Sequence, residues 1–133
     1  CWSEADHSMS KSVVLKQSRN NKVVLKRVKL CDNFWTRFRG LQLVRHLPED
    51  EGLLFVTGSE SRTNTTIHMF FMFFSIGVVW LDASGKVVDK CFAKPWRPAY
   101  APSSPAQYFV EARPSILKKV EIGDVLRFDE VAA

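Results

Sequence analysis

A chain of 133 residues, 46% hydrophobic and 25% charged, has the size and balance of one globular domain with one core, and excludes extensive disorder, which requires fewer apolar residues and less balanced charge. The formal charge of +5 is unevenly spread: residues 11–45 hold ten Lys or Arg and a single acid, Asp32, so the remainder is net acidic. Three widely spaced cysteines, Cys1, Cys31 and Cys91, form neither a disulfide framework nor a zinc-binding pattern, which points to a reducing compartment.

Residues 1–20 mix Ser, Asn and charge without sustained periodicity and are expected to be flexible, leaving 21–133 as a single domain. The cytoplasm is the expected location; export, with Cys1 as a lipid-anchored residue, is the alternative. The run KVVLKRVKLC, residues 22–31, is rich in β-branched residues and reads as a partly covered strand. After it, Asp32 or Asn33 can cap a short helix on which Phe34, Phe38 and Leu41 recur at helical spacing, with Gly40 ending or bending it.

GLLFVT, residues 52–57, reads as a short buried strand, and the polar GSESRTNTT after it as a loop. The stretch Ile67 to Leu81, IHMFFMFFSIGVVWL, falls short of the roughly 20 apolar residues that span a bilayer. It is also broken by His68, Ser75 and Gly77, so a buried strand and no transmembrane segment are expected. Ile76 to Leu81 and Lys86 to Ala93 flank Asp82, Ala83, Ser84 and Gly85, the signature of a β-hairpin. Four of the six prolines lie from Pro95 to Pro105, which confines that segment to an extended loop. Residues 107–112 read as a strand, Ser115 to Val120 as a helical turn after Pro114, and Val125 to Val131 as a strand entered through Gly123 and Asp124. The expected fold is mainly β: a compact antiparallel β-sandwich or barrel-like domain with one short N-terminal helix and a short helical turn near the C-terminus.

Six segments in order carry a resemblance: TRFRGL at 36–41, EGLLFV at 51–56, IHMFFMFFSIGVVWLDASGKVV at 67–88, PWR at 95–97, YFVEA at 108–112 and IGDVL at 122–126. Together they resemble the bacterial and archaeal family called domain of unknown function 192. That resemblance implies a compact antiparallel β structure with a short helix and implies no established activity. The closest subgroup pattern reads His-Thr-Phe-Phe-Met-Arg-Phe-Pro-Ile-Asp, whereas residues 68–77 here put Phe73 and Gly77 where the Arg and Asp stand. Removing both members of a charge pair avoids leaving either one buried alone.

Among candidate binding residues, Trp96, Arg97 and Tyr100 join rigid aromatics to a planar guanidinium suited to carboxylate or phosphate. His68, near Met69 and Met72, is a proton shuttle or a soft-metal ligand if Cys91 approaches it, and otherwise a satisfied structural histidine in a core of Met and Phe. Arg39 and Gly40, the turn residues Asp82 and Gly85, and Glu111, Gly123 and Asp124 read as structural, with Arg39 and Glu111 as a candidate ion pair. No nucleophile elbow, phosphate loop, HExxH or paired-carboxylate pattern occurs, so no catalytic, metal or cofactor residue is assigned. The leading expectation is a non-enzymatic binding or accessory module for a small anionic ligand or a peptide, held by His68, Trp96, Arg97 and Tyr100. One alternative is a small enzyme with His68 as acid or base and Arg97 orienting an anionic substrate. The other is nucleic-acid binding through the basic segment 11–45.

Overall fold

The computed structural model describes residues 12–31, 49–62, 65, 74–95 and 100–130. Seven strands occur among them: β1 (Ser12–Gln17), β2 (Val23–Cys31), β3 (Glu51–Ser61), β4 (Ile76–Leu81), β5 (Val87–Ala93), β6 (Ala106–Ala112) and β7 (Leu126–Glu130). They form one sheet in the order β5-β4-β6-β3-β2-β1-β7. The chain is thus mainly β, but the expectation of an all-antiparallel sandwich or barrel needs correction. β2 and β3 run parallel, from Arg27 opposite Glu51 to Cys31 opposite Phe55. The connection from Cys31 to Glu51 is long enough for the crossover that parallel neighbours require. The helix expected near Asp32 and Asn33 lies outside the described residues. Within them the helical element is a 3-10 turn, Pro114–Lys118, where the helical turn near the C-terminus was expected.

Two further expectations change. Residues 12–17, expected to be flexible, form β1, which inserts between β2 and β7; Leu15 is fully buried. β3 continues past Thr57 to Ser61, so the first part of the polar segment read as a loop is strand, paired through Ser61 with Ala106.

The sheet buries both faces. One carries Leu53, Phe55, Ile76, Val78, Trp80 and Phe109. The other carries Leu15, Leu25, Val28, Leu54, Val79, Val110 and Leu126, together with Ile116 of the 3-10 turn. Tyr108 on β6 and Phe128 on β7 have ring centroids 6.0 Å apart although β3, β2 and β1 lie between their strands, so the sheet rolls around this second cluster. It is not closed: edge strands β5 and β7 meet only near their starts, through the Lys86–Val125 bridge and bonds such as Leu126 N–H to the Gly85 carbonyl at 2.9 Å.

The β4–β5 hairpin follows from its turn. Asp82 Oδ1 accepts hydrogen bonds from the Ser84 amide (2.9 Å), the Ser84 hydroxyl (2.6 Å) and the Lys86 amide (3.0 Å), while Gly85 takes φ +88°. Partial burial pushes the Asp82 carboxyl upward, but the bonds from Ser84 and Lys86 outweigh it and hold it below the usual range. Asp82→Ala is expected to lower the unfolding free energy by about 1 kcal/mol in urea titration near neutral pH. A depressed carboxylate stabilises above its unfolded pKa and ceases to as pH falls through the folded value, so the difference between the two proteins should vanish in acid.

Candidate functional site

Opposed residues on neighbouring strands point to the same face, so the register places one row across four strands: Leu53 on β3, Glu111 on β6, Val78 on β4 and Cys91 on β5. The row lies on the Trp80 face. Glu111 is only 1% exposed, an acid set beside the apolar cluster of that face. Cys91, half-buried, has its thiol pushed up to about 12, chiefly by burial and further by the negative charges of Asp89 and Glu111. A thiol in that state is a poor nucleophile and a poor metal ligand. Iodoacetamide labelling of the native chain near pH 8 is therefore expected to modify Cys91 at least about a hundredfold more slowly than in the urea-unfolded chain, read by peptide mass spectrometry.

Several bonds tie the surrounding loops to this face. Trp80 donates from Nε1 to the Thr65 carbonyl at 2.8 Å, and the Thr65 hydroxyl donates to the Ser61 carbonyl at 2.6 Å. In the proline-rich segment, the Tyr100 hydroxyl accepts from the Lys94 amide (2.9 Å), Asp89 Oδ2 accepts from the Ser103 amide (2.9 Å), and Arg62 Nε donates to the Pro102 carbonyl (2.9 Å). Phe74 and Tyr100, both partly buried, pack against the same cluster of Phe55, Val78, Trp80 and Phe109. Phe74 directly follows residues 66–73, and Tyr100 directly follows residues 96–99.

Of the candidate binding residues, Tyr100 is described, on this face; His68, Trp96 and Arg97 lie outside the described residues, as do Arg39 and Gly40. Gly123 has φ +100° and Asp124 Oδ2 accepts from the Glu121 amide at 2.9 Å, which shapes the turn before β7. Asp89 and Arg62 escaped sequence reasoning. Asp89 was legible only as the residue two before Cys91, hence on its face; nothing local marks Arg62.

Among the described residues, part of the basic segment is paired with acids. Lys16 pairs with Asp129 at 3.2 Å, Lys26 with Asp50 at 3.7 Å, and Arg127 shares Asp129 at 3.2 Å. Burial lowers the Lys29 amine, with Glu51 opposing and Arg27 reinforcing the shift. The sheet order thus sets acids of β7 and of the 50–51 corner beside the cations of β1 and β2. Among the described residues, no helix is long and apolar enough to cross a membrane.

Comparison with known proteins places this architecture. The family model DUF192, described as an uncharacterized ACR, matches residues 13–128. A UPF0127 protein of Thermococcus kodakarensis is 45% identical over 102 residues, covering 75% of this chain but 63% of that protein's length. One from Thermococcus sibiricus is 41% identical over 118 residues, covering 87% and 75% of the two chains. Among solved structures, a Sinorhizobium meliloti protein described as a candidate transcription regulator superposes with TM-score 0.75 at 21% identity, covering 90% of this chain and 93% of its own. A Novosphingobium aromaticivorans protein of unknown function follows at TM-score 0.72 and 15% identity, covering 89% and 84%. At such identities the likeness concerns the fold alone. With the family model spanning nearly the whole chain and archaeal relatives at 38–45% identity, the protein belongs to the DUF192 (UPF0127) family.

Proposed function

We propose that this chain is a non-enzymatic binding module whose site lies over the Trp80 face, with His68, Trp96, Arg97 and Tyr100 holding a small anionic ligand or an acidic peptide segment. The observation that carries this reading is the shared anchorage of Phe74 and Tyr100. The residues that follow the His68 segment and the Trp96–Arg97 segment both pack on one cluster, so the chain leaves both segments on neighbouring ground. Trp80 fixes Thr65, one residue before the His68 segment, to the same face. In this reading the aromatics supply rigid contact area and Arg97 supplies the charge, offsetting the acids Glu111 and Asp89 on the floor. The nearby described thiol, Cys91, is held protonated by burial, which disfavours a thiolate nucleophile or a soft-metal ligand there. A nucleic-acid role for the basic segment is weakened by the ion pairs of Lys16 and Lys26.

Titration calorimetry of the full chain with inorganic phosphate and with a short tetra-aspartate peptide tests the reading. At least one probe should bind, and Arg97→Ala should weaken it by about tenfold or more, the worth of a charge-assisted hydrogen bond, with the melting temperature unchanged. No heat with either probe, or an Arg97→Ala protein that binds as well as the parent, would reject it.

A further inference from the structure

One end of the sheet gathers exposed apolar and basic residues that the binding site does not use. The β1–β2 turn and the 119–125 loop are stitched together there. Gln17 Nε2 donates to the Lys119 carbonyl (3.0 Å) and the Ser18 amide to the Val125 carbonyl (2.9 Å). The Lys119 amine also reaches the Val24 carbonyl at 3.4 Å. This end carries three of the five exposed large apolar residues among those described: Val23 at 44%, Ile122 at 61% and Val125 at 45% exposure.

The charge there is predominantly positive. Arg19, Lys22 and Lys118 are exposed around these apolar residues. Two acids share this end, Glu121, exposed and paired with Lys90 at 3.6 Å, and Asp124, which accepts from the Glu121 amide; the exposed cations Arg19, Lys22, Lys118 and Lys119 outnumber them. The shape is convex, because Ile122 sits at the tip of a tight turn closed by the Asp124 amide on the Glu121 carbonyl at 3.0 Å, and the space around Gly123 is open for 4 Å. A protruding aliphatic tip at an end of net positive charge suits a soft, negatively charged interface, which can take up a knob without offering a matching pocket.

We propose that this end is a docking surface for an anionic lipid membrane, with Val23, Ile122 and Val125 entering the interface and Arg19, Lys22 and Lys118 meeting lipid phosphates. It is a separate surface from the ligand site on the Trp80 face. Each cation near such a surface contributes about fivefold in partitioning, and burial of one large aliphatic side chain about tenfold or more.

The test is vesicle co-sedimentation of the full chain at low salt. The expected result is binding to vesicles of phosphatidylglycerol and phosphatidylcholine in equal amounts, none to phosphatidylcholine alone, and release by salt. Ile122→Ser should weaken binding about tenfold and Lys22→Ala or Lys118→Ala about fivefold each. All three are exposed, so folding should survive, as circular dichroism would verify. Lys26→Ala, whose lysine is paired with Asp50, should change little. Failure to bind the anionic vesicles overturns the proposal. So does binding that Ile122→Ser leaves unchanged, or that Lys26→Ala weakens as much as Lys22→Ala does, since either marks charge attraction of the kind any polyanion, nucleic acid included, would show.

Discussion

Replacing Gly77 by aspartate is expected to destabilise the chain by about 3–5 kcal/mol in equilibrium denaturation, the cost of an uncompensated buried charge. Gly77 lies on buried β4 facing the 3-10 turn. A Cβ there would stand 2.8 Å from Ile116 Cγ2, 3.1 Å from the Arg113 carbonyl oxygen and 3.2 Å from Leu117 Cγ. The carbonyl is backbone, and Ile116 is β-branched and fully buried, so neither can swing aside cheaply. Gly77→Ala isolates the steric part and should cost about 1–3 kcal/mol. This gives physical content to the chain's departure from the pattern it resembles: where an aspartate is expected, the glycine lets the turn settle directly onto β4. A Gly77→Asp protein as stable as the parent would mean that the turn does not pack there.

The second large effect concerns Trp80. It is 1% exposed at the centre of its face, and its ring nitrogen is bonded to the carbonyl of Thr65, itself fully buried. Trp80→Ala should cost about 3–5 kcal/mol, since the cavity left by an indole closes only in part. Trp80→Phe keeps most of the apolar bulk but removes the donor, so a loss of about 1–3 kcal/mol is expected for the stranded carbonyl. Because Thr65 leads into the segment that holds His68, Trp80→Phe should also weaken any phosphate or acidic-peptide binding. Calorimetry on a variant that still melts cooperatively separates that effect from simple unfolding.

Where local chemistry sets structure, the sequence is readable. The hairpin of β4 and β5 is the clearest case, since Asp82 and Gly85 fix the turn by bonds and a positive φ that depend on no distant residue. β1 was missed because its run SVVLKQ is short and it is held between its hairpin partner β2 and β7, the latter more than a hundred residues away. The parallel pairing of β2 with β3 has no local signature either; it follows from where the chain crosses. The polar end of β3 is strand only because β6 lies beside it. On the candidate site, Tyr100 was singled out for its residue type, and its hydroxyl and ring are both engaged on the Trp80 face. The row of Glu111, Val78 and Cys91 emerges only from the register of three strands. The ion pairs of Lys16 and Lys26 depend in the same way on strand order, so these two cations of the basic segment are partnered while Arg19 and Lys22 stay exposed.

The most direct test of the central claim is a crystal structure of the natively purified, never refolded chain soaked with the phosphate or peptide probe, read at the Trp80 face. The account predicts density touching Arg97 and His68, with Tyr100 at its border and Phe74 beneath. A dry, filled face, with Trp96 buried in the core and Arg97 turned to pair with an acid such as Glu111, would contradict it.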